Sequence, residues 1–302
     1  MTHPYLQANL HERAYQTPHC MHSESSFYEL TFPGGSLSME KPRIMGILNI
    51  TPDSFYAESR VMSAAELEEV AGKMIAEGAD ILDIGGQSTR PGAQRIDAYM
   101  ESQRVLPAIE TVRKAFPDIC ISVDTFYSEV AEGACRAGAN IINDVSGGSI
   151  DSRMFSIAAK CHVPYVLTHI QGEPQTMQSN PQYSDVVAEV LNYFNEKINQ
   201  LKSVGVQQII IDPGFGFGKT VQHNLRLLKE LHLFDALNYP ILAGLSRKRT
   251  LQQLIGRDAS ETMNATTVAN TIALMNHASI LRVHDVREAK EAILIVNALN
   301  EV

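Results

Sequence analysis

The chain has 302 residues, 44% of them hydrophobic and 20% charged, with a formal net charge of -9. That length suits a single α/β barrel with a large core. The acidic balance argues against a general nucleic-acid surface, no apolar run is long enough to span a membrane, and no basic segment followed by an apolar core marks a secretory leader, so the cytoplasm is the expected compartment.

Cys20, Cys120, Cys135 and Cys161 lack C-x-x-C spacing, and three of them sit in apolar stretches. They read as buried thiols in a reducing compartment. Residues 1–26 are polar and read as a flexible tail. His19, Cys20 and His22 invite a metal-cluster reading, but a terminal tail accounts for them more simply. Phe27 to Leu37 alternates around Gly34-Gly35, which predicts a hairpin closing the bottom of a barrel.

Arg43 to Ile50 is the first buried strand, left by the loop Thr51-Pro52-Asp53-Ser54-Phe55. Ser63-Ala-Ala-Glu66 is a capping box, and apolar residues then recur at helical spacing until Gly78. Ile81 to Ile84 is the second strand, followed by Gly85-Gly-Gln-Ser-Thr-Arg-Pro-Gly92 and a helix over 98–115. The third strand, Ile119 to Val123, ends at Asp124, and a short Ala-rich helix stops at Gly138. Ile141-Ile142 leads into Asn143. The fifth strand, Val163 to Leu167, ends near Thr168-His169, before a long helix over 183–204. Ile209-Ile-Ile211 runs into Asp212 and the glycine-rich Pro213 to Lys219. A helix over 221–231 precedes the seventh strand, Ile241 to Ala243. Helices over 249–255 and 260–276 precede the eighth, Ile280 to Val283, and His284-Asp285 opens the last helix. Eight strands alternating with helices predict a (β/α)8 TIM barrel, preceded by the hairpin and the tail. No Pro/Ser linker divides it, so 27–302 reads as one domain. In that fold the strand C-termini build the active site, so the polar endings converge on one mouth.

Gly214-Phe-Gly-Phe-Gly-Lys-Thr220 resembles two phosphate-binding loops and matches neither. A Walker A loop needs glycine where Pro213 stands, and a dinucleotide fingerprint needs one where Lys219 stands.

Asp124, Asn143, Asp212 and Lys248 together suit a flat heterocycle with an amino group, ring N–H groups and a carbonyl. Asn49, Arg90, Arg282 and His284 are donors suited to phosphate oxygens, and Asn49 also offers an oxygen to Mg2+. Ser246 reads as a helix start able to bind a carboxylate. Each residue taken alone reads equally well as an interior polar pair, a solvated arginine or a helix cap.

Met45-Gly-Ile-Leu-Asn-Ile-Thr-Pro-Asp-Ser-Phe55 and Asp83-Ile-Gly-Gly-Gln-Ser-Thr-Arg-Pro-Gly92 resemble the first two signatures of the dihydropteroate synthase family. Ser122-Val-Asp-Thr125, Asn143-Asp-Val145, Asp212 to Lys219, Ser246-Arg-Lys248 and Arg282-Val-His-Asp285 follow in that family's order. The resemblance implies a transferase of folate biosynthesis, usually a homodimer, joining 4-aminobenzoate to the dihydropterin diphosphate with Mg2+ and releasing pyrophosphate. It implies that Asp124, Asn143, Asp212 and Lys248 hold the pterin, with Phe217 and Arg282 flanking its ring. Asn49, Thr89, Arg282 and His284 would meet the diphosphate, Asn49 also the metal. Asp53, Phe55, Thr89, Arg90 and Pro91 belong to two closing loops, and Ser246 lies near the aminobenzoate carboxylate. The implied catalytic set is Asn49, Arg90, Lys248, Arg282 and His284. The chain departs from the family pattern at Tyr56-Ala-Glu-Ser-Arg60, at Gln87 for a glutamate, and at Thr168-His169-Ile170 for Met-His-Met. A pterin-binding methyltransferase and a non-catalytic pterin-binding paralogue are the alternatives.

Overall fold

The computed structural model describes residues 28–50, 63–87, 95–172, 177 and 181–302. The expected 1–26 tail lies outside them. An antiparallel hairpin, β1 (Glu29–Phe32) and β2 (Gly35–Ser38), precedes the barrel. Eight parallel strands follow: β3 (Arg43–Asn49), β4 (Ile81–Gly85), β5 (Cys120–Asp124), β6 (Ile141–Asp144), β7 (Tyr165–Thr168), β8 (Ile209–Asp212), β9 (Leu242–Ala243) and β10 (Ile280–Val283). Their order is β8-β7-β6-β5-β4-β3-β10-β9, and a single bridge, Ile211 to Ile241, draws the ring together at the β8–β9 seam. There Ile211 N donates to Pro240 O at 2.9 Å.

The helices between strands are α1 (Ala64–Glu77), α2 (Ala98–Ala115), α3 (Ser128–Ala137), α4 (Met154–Cys161), α5 (Val186–Ser203), α6 (Val221–Lys229), α7 (Arg249–Ile255), α8 (Met263–Met275) and α9 (Val286–Asn300). The Ser63 capping box forms as expected, with Ser63 N donating to Glu66 at 2.7 Å, and left-handed Gly78 ends α1. α5 begins later than its periodicity predicts, because Asp185 caps it through Val187 N and Ala188 N. α4 and a 3-10 turn at Leu231–Leu237 have no counterpart in the predicted elements.

Helices on the outside and a filled interior bury both faces of the sheet, so the strands are nearly continuous apolar runs. Inside the barrel, however, side chains alternate by two. Met45, Ile81, Cys120, Ile141, Val166, Ile210, Leu242 and Ile280, one from each strand, form an apolar bottom layer. Leu30 of the hairpin, fully buried, packs on it with Tyr28, Phe32, Leu37 and Met39, so the hairpin plugs that end as expected. Two residues further along, the inward positions are Ile47, Asp83, Ser122, Asn143, Thr168, Asp212, Gly244 and Arg282. The change from apolar to polar between these layers sets the floor of a site at the strand C-termini.

Candidate active site

Asp83 lies at the middle of this polar layer, with no exposure. Its Oδ2 accepts from Arg282 Nε at 2.6 Å and from Asn143 Nδ2 at 3.0 Å. Arg282 Nη2 donates to Asp124 Oδ2, also at 2.6 Å. One guanidinium therefore joins β4, β5 and β10, and Asn143 brings in β6. The two acids keep Arg282 charged, pushing its pKa above the usual guanidinium range despite burial. Burial pushes the Asp124 carboxyl up to about 7, with Arg282 pulling against the rise and Asp83 adding to it.

Asp212 ends β8, and its Oδ1 accepts from Gly214 N at 2.8 Å. Burial raises its pKa against the opposing charges of Lys248, Arg282 and Lys219. The glycine-rich run then folds around Lys219. Its Nζ reaches Gly214 O at 3.0 Å, Phe217 O at 3.1 Å, His169 O at 3.3 Å and His169 Nδ1 at 2.8 Å. Gly214 has φ 71°, and a β-carbon there would fall inside the His169 carbonyl, so only glycine fits. Burial lowers Lys219 to about 7 and His169 to about 2. The loop is thus wound on a buried amine, holding Phe217 in place with 5% exposure. Lys248 Nζ sits 4.3 Å from the Phe217 ring centroid, a cation–π contact. Burial, then the Arg282 charge, lower Lys248 to about 8. Phe126, Val145 and Met177 complete an apolar wall with Phe217.

Ser246 does not start a helix, contrary to expectation. Arg247 adopts φ 55°, and α7 begins only at Arg249, with Lys248 at its cap position. Arg247 forks onto Asp285 at 2.5 and 3.1 Å, pinning this turn to the start of α9. Buried Ser246 instead pairs with His284: its Oγ lies 3.0 Å from His284 Nδ1 and accepts from His284 N at 3.2 Å. The hydroxyl can accept from the backbone and still either donate to Nδ1 or accept from it, so this pair follows the imidazole tautomer. Burial, with Arg282 nearby, lowers His284 to about 4, so the imidazole is neutral at physiological pH. Asn49 Oδ1 and Asp124 Oδ2 both overlie Gly85, 3.5 and 3.6 Å from where a β-carbon would stand.

The structure therefore brings together Asn49, Asp124, Asn143, Asp212, Phe217, Lys248 and Arg282, with Ser246 and His284 as a pair beside them. Asp53, Phe55, Thr89, Arg90 and Pro91 lie outside the described residues. Asp83, Lys219 and His169 carry the site too, though the sequence reading assigned them no role there. Their signal was available: a charged or polar residue at an inward position of a buried strand, or directly after one. Behind the site, Glu101 of α2 is fully buried, its Oε2 accepting from Gln87 Nε2 at 2.9 Å and Thr125 Oγ1 at 3.2 Å. Burial and the Asp124 charge push its pKa up to about 8.

A profile of the family described as pterin binding enzyme matches residues 45–284. The dihydropteroate synthase of Escherichia coli K12 is 43% identical over 267 residues, covering 88% of this chain and 94% of that protein. That of Haemophilus influenzae is 39% identical over 264 residues, covering 87% and 95%. The Yersinia pestis dihydropteroate synthase, solved in a sulfonamide drug complex, superposes with a TM-score of 0.87 at 36% identity, covering 91% of this chain and 100% of that one. The Xanthomonas albilineans dihydropteroate synthase, solved with 4-aminobenzoic acid, does so with a TM-score of 0.85 at 38% identity, covering 92% and 100%.

Proposed function

We infer the roles of these residues from one premise: the chain belongs to the dihydropteroate synthase family of pterin binding enzymes. It is a transferase of folate biosynthesis that condenses 4-aminobenzoate with the dihydropterin diphosphate to give dihydropteroate and pyrophosphate. The methyltransferase and non-catalytic alternatives fall away with that membership.

The observation that carries the assignment of roles is the Asp83–Arg282–Asp124 bridge beside Asn143, Asp212 and Lys248. Asp212 and Asp124 accept from the amino and ring N–H groups of the pterin, Lys248 and Asn143 pair with its remaining polar edge, and Phe217 lies along its face. Arg282 and His284 donate to the diphosphate, and by their place in the family's motif Thr89 and Arg90 do so from the second loop. Such fixed donors favour departure of a polyanionic leaving group. Positive charge left on the exocyclic methylene spreads into the pterin ring. The arylamine attacks as a neutral nucleophile, so no strong general base is required. Asp53, Phe55 and Pro91 belong to the loops that exclude water, and Ser246 stands near the aminobenzoate carboxylate.

Among the described residues no group of three or more His, Cys, Asp or Glu is placed to hold a metal ion. The donor set at Asn49 is one amide oxygen beside Asp124, which fits a cation that takes most of its ligands from phosphate and water, as Mg2+ does. Asn49 would hold Mg2+, which when bound neutralises charge on the departing diphosphate. α8 and α9 present Val268, Ile272, Met275, Leu294, Ile295 and Leu299 at 39–67% exposure. An apolar face of that extent supports a homodimer, testable by sedimentation. No helix among the described residues is long and apolar enough to cross a membrane, and we place the enzyme in the cytoplasm. The test of the whole reading is pyrophosphate release from both substrates with Mg2+. Release that ignores 4-aminobenzoate, or does not occur, sinks it. Sulfonamides, as mimics of the acid, are expected to compete with it.

A further inference from the structure

We propose that Cys135 and Cys161 form a reversible disulfide in a cleft at the bottom of the barrel, made by exchange with a low-molecular-weight disulfide of the glutathione class. The cleft measures about 400 Å3 and lies at the N-terminal ends of β5, β6 and β7, opposite the active site. Phe32 and Gly34 of the hairpin, Arg113 and Asn140 wall it, together with both cysteines. The expectation of buried thiols holds only for Cys120, because Cys135 and Cys161 are half-buried.

Both cysteines line this one cleft, Cys135 from α3 and Cys161 from the end of α4. Each thiol perturbs the titration of the other, as close neighbours do. One turn away, Lys160 Nζ of α4 clamps Glu132 Oε1 of α3 at 2.7 Å, fixing the register of the two helices that carry them. The pair is also chemically asymmetric. The Cys135 side chain lowers the Cys161 pKa, and the Lys160 charge adds to that lowering. A thiol whose pKa is lowered, lining a cleft together with a candidate resolving thiol, is the arrangement that supports exchange.

Cys161 loses its proton to solvent and its thiolate attacks one sulfur of the small disulfide. That bond breaks, a mixed disulfide forms, and one thiolate leaves and is protonated. Cys135 then loses its proton and attacks the Cys161 sulfur, expelling the second small thiol. Two protein thiols are oxidised to one bridge, and one small disulfide is reduced to two thiols. The bridge ties α3 to α4 across β6, the strand that carries Asn143.

The test uses the full-length chain with Cys20→Ser, equilibrated in glutathione redox mixtures, quenched by alkylation and mapped by non-reducing peptide mass spectrometry. The expected result is one Cys135–Cys161 bridge whose yield follows a two-electron redox dependence and which dithiothreitol removes. In a Cys135→Ser background, Cys161 should instead retain a stable glutathione adduct. If both cysteines stay fully alkylatable in every mixture, or if each accumulates its own adduct without bridging, the proposal is overturned. The mapping on the Cys20→Ser chain decides this even if Cys135→Ser does not fold.

Discussion

Arg282 and Asp124 meet at 2.6 Å, so the guanidinium we propose for the diphosphate is held by the same carboxylate we propose for the pterin. Anion site and ring site are therefore one electrostatic unit. Arg282→Ala leaves Asp83 and Asp124 buried without their cation and removes a donor to the leaving group. We expect kcat/KM for the pterin diphosphate to fall by about a hundredfold or more. Arg282→Lys should recover part of the loss, since it keeps the charge but not the fork. Steady-state kinetics on both variants checks this. Unchanged turnover in Arg282→Ala means the diphosphate contact lies elsewhere.

Burial moves the Asp124 and Lys248 pKa values toward one another, to about 7 and about 8. On the proposed roles, pterin recognition requires the carboxylate ionised and the ammonium protonated. kcat/KM for the pterin substrate, which reports the free enzyme, should then be bell-shaped, with an acid limb near Asp124 and a basic limb near Lys248. Because these groups interact, the limbs belong to the coupled set. Asp124→Asn should remove the acid limb while lowering the plateau. An acid limb that survives this change unaltered assigns it to another group, Lys219 being the nearest candidate by pKa.

The strands were legible because β-branched runs end in a polar residue, and the inward polar layer follows from counting by two along each. Periodicity failed where a local contact overrides it. α4 has only eight residues, too few to show a helical period against its neighbours. Ser246 stands just before a helix and looks like a cap, but the left-handed turn at Arg247 delays the helix and turns Ser246 to His284 instead. Glu101 inverts the usual rule: Tyr99 is 72% and Met100 47% exposed while the acid between them and the core has no exposure. Nothing in a charged helix face announces that a carboxyl points inward. Only the packing of α2 on Gly86, where a β-carbon would come within 2.7 Å of Val105, reveals it.

Glu101 also makes stability pH-dependent with a definite sign. Its folded pKa, about 8, lies above the ordinary 4.5, so the folded chain holds a proton that the unfolded chain has released. The favourable contribution is present at low pH and is lost as pH rises through that window. Glu101→Gln keeps the shape and cannot ionise. The melting midpoint of the variant relative to the parent should therefore rise between pH 4.5 and about pH 8 and level off above it. Parallel thermal curves for parent and variant across that range place the burden elsewhere.

Two glycines of the mouth separate folding from recognition. Gly214 sits at φ 71° against the His169 carbonyl, and its turn supports the four contacts around Lys219. Gly214→Ala must move that carbonyl or unwind the loop, and we expect a loss of about 3 kcal/mol or more in chemical denaturation. Gly244 has no positive φ, and a β-carbon there meets only Asp212 Oδ2, at the ordinary contact distance of 3.9 Å. Gly244→Ala should then fold with near-parental stability but place a methyl group over Asp212, the carboxylate proposed to accept from the pterin. Calorimetry should show pterin affinity reduced about tenfold or more, since the methyl both crowds the ring and shields Asp212. If the two variants exchange behaviours, Gly214 affecting binding alone and Gly244 unfolding the chain, the inward face of β9 does not form part of the pterin floor.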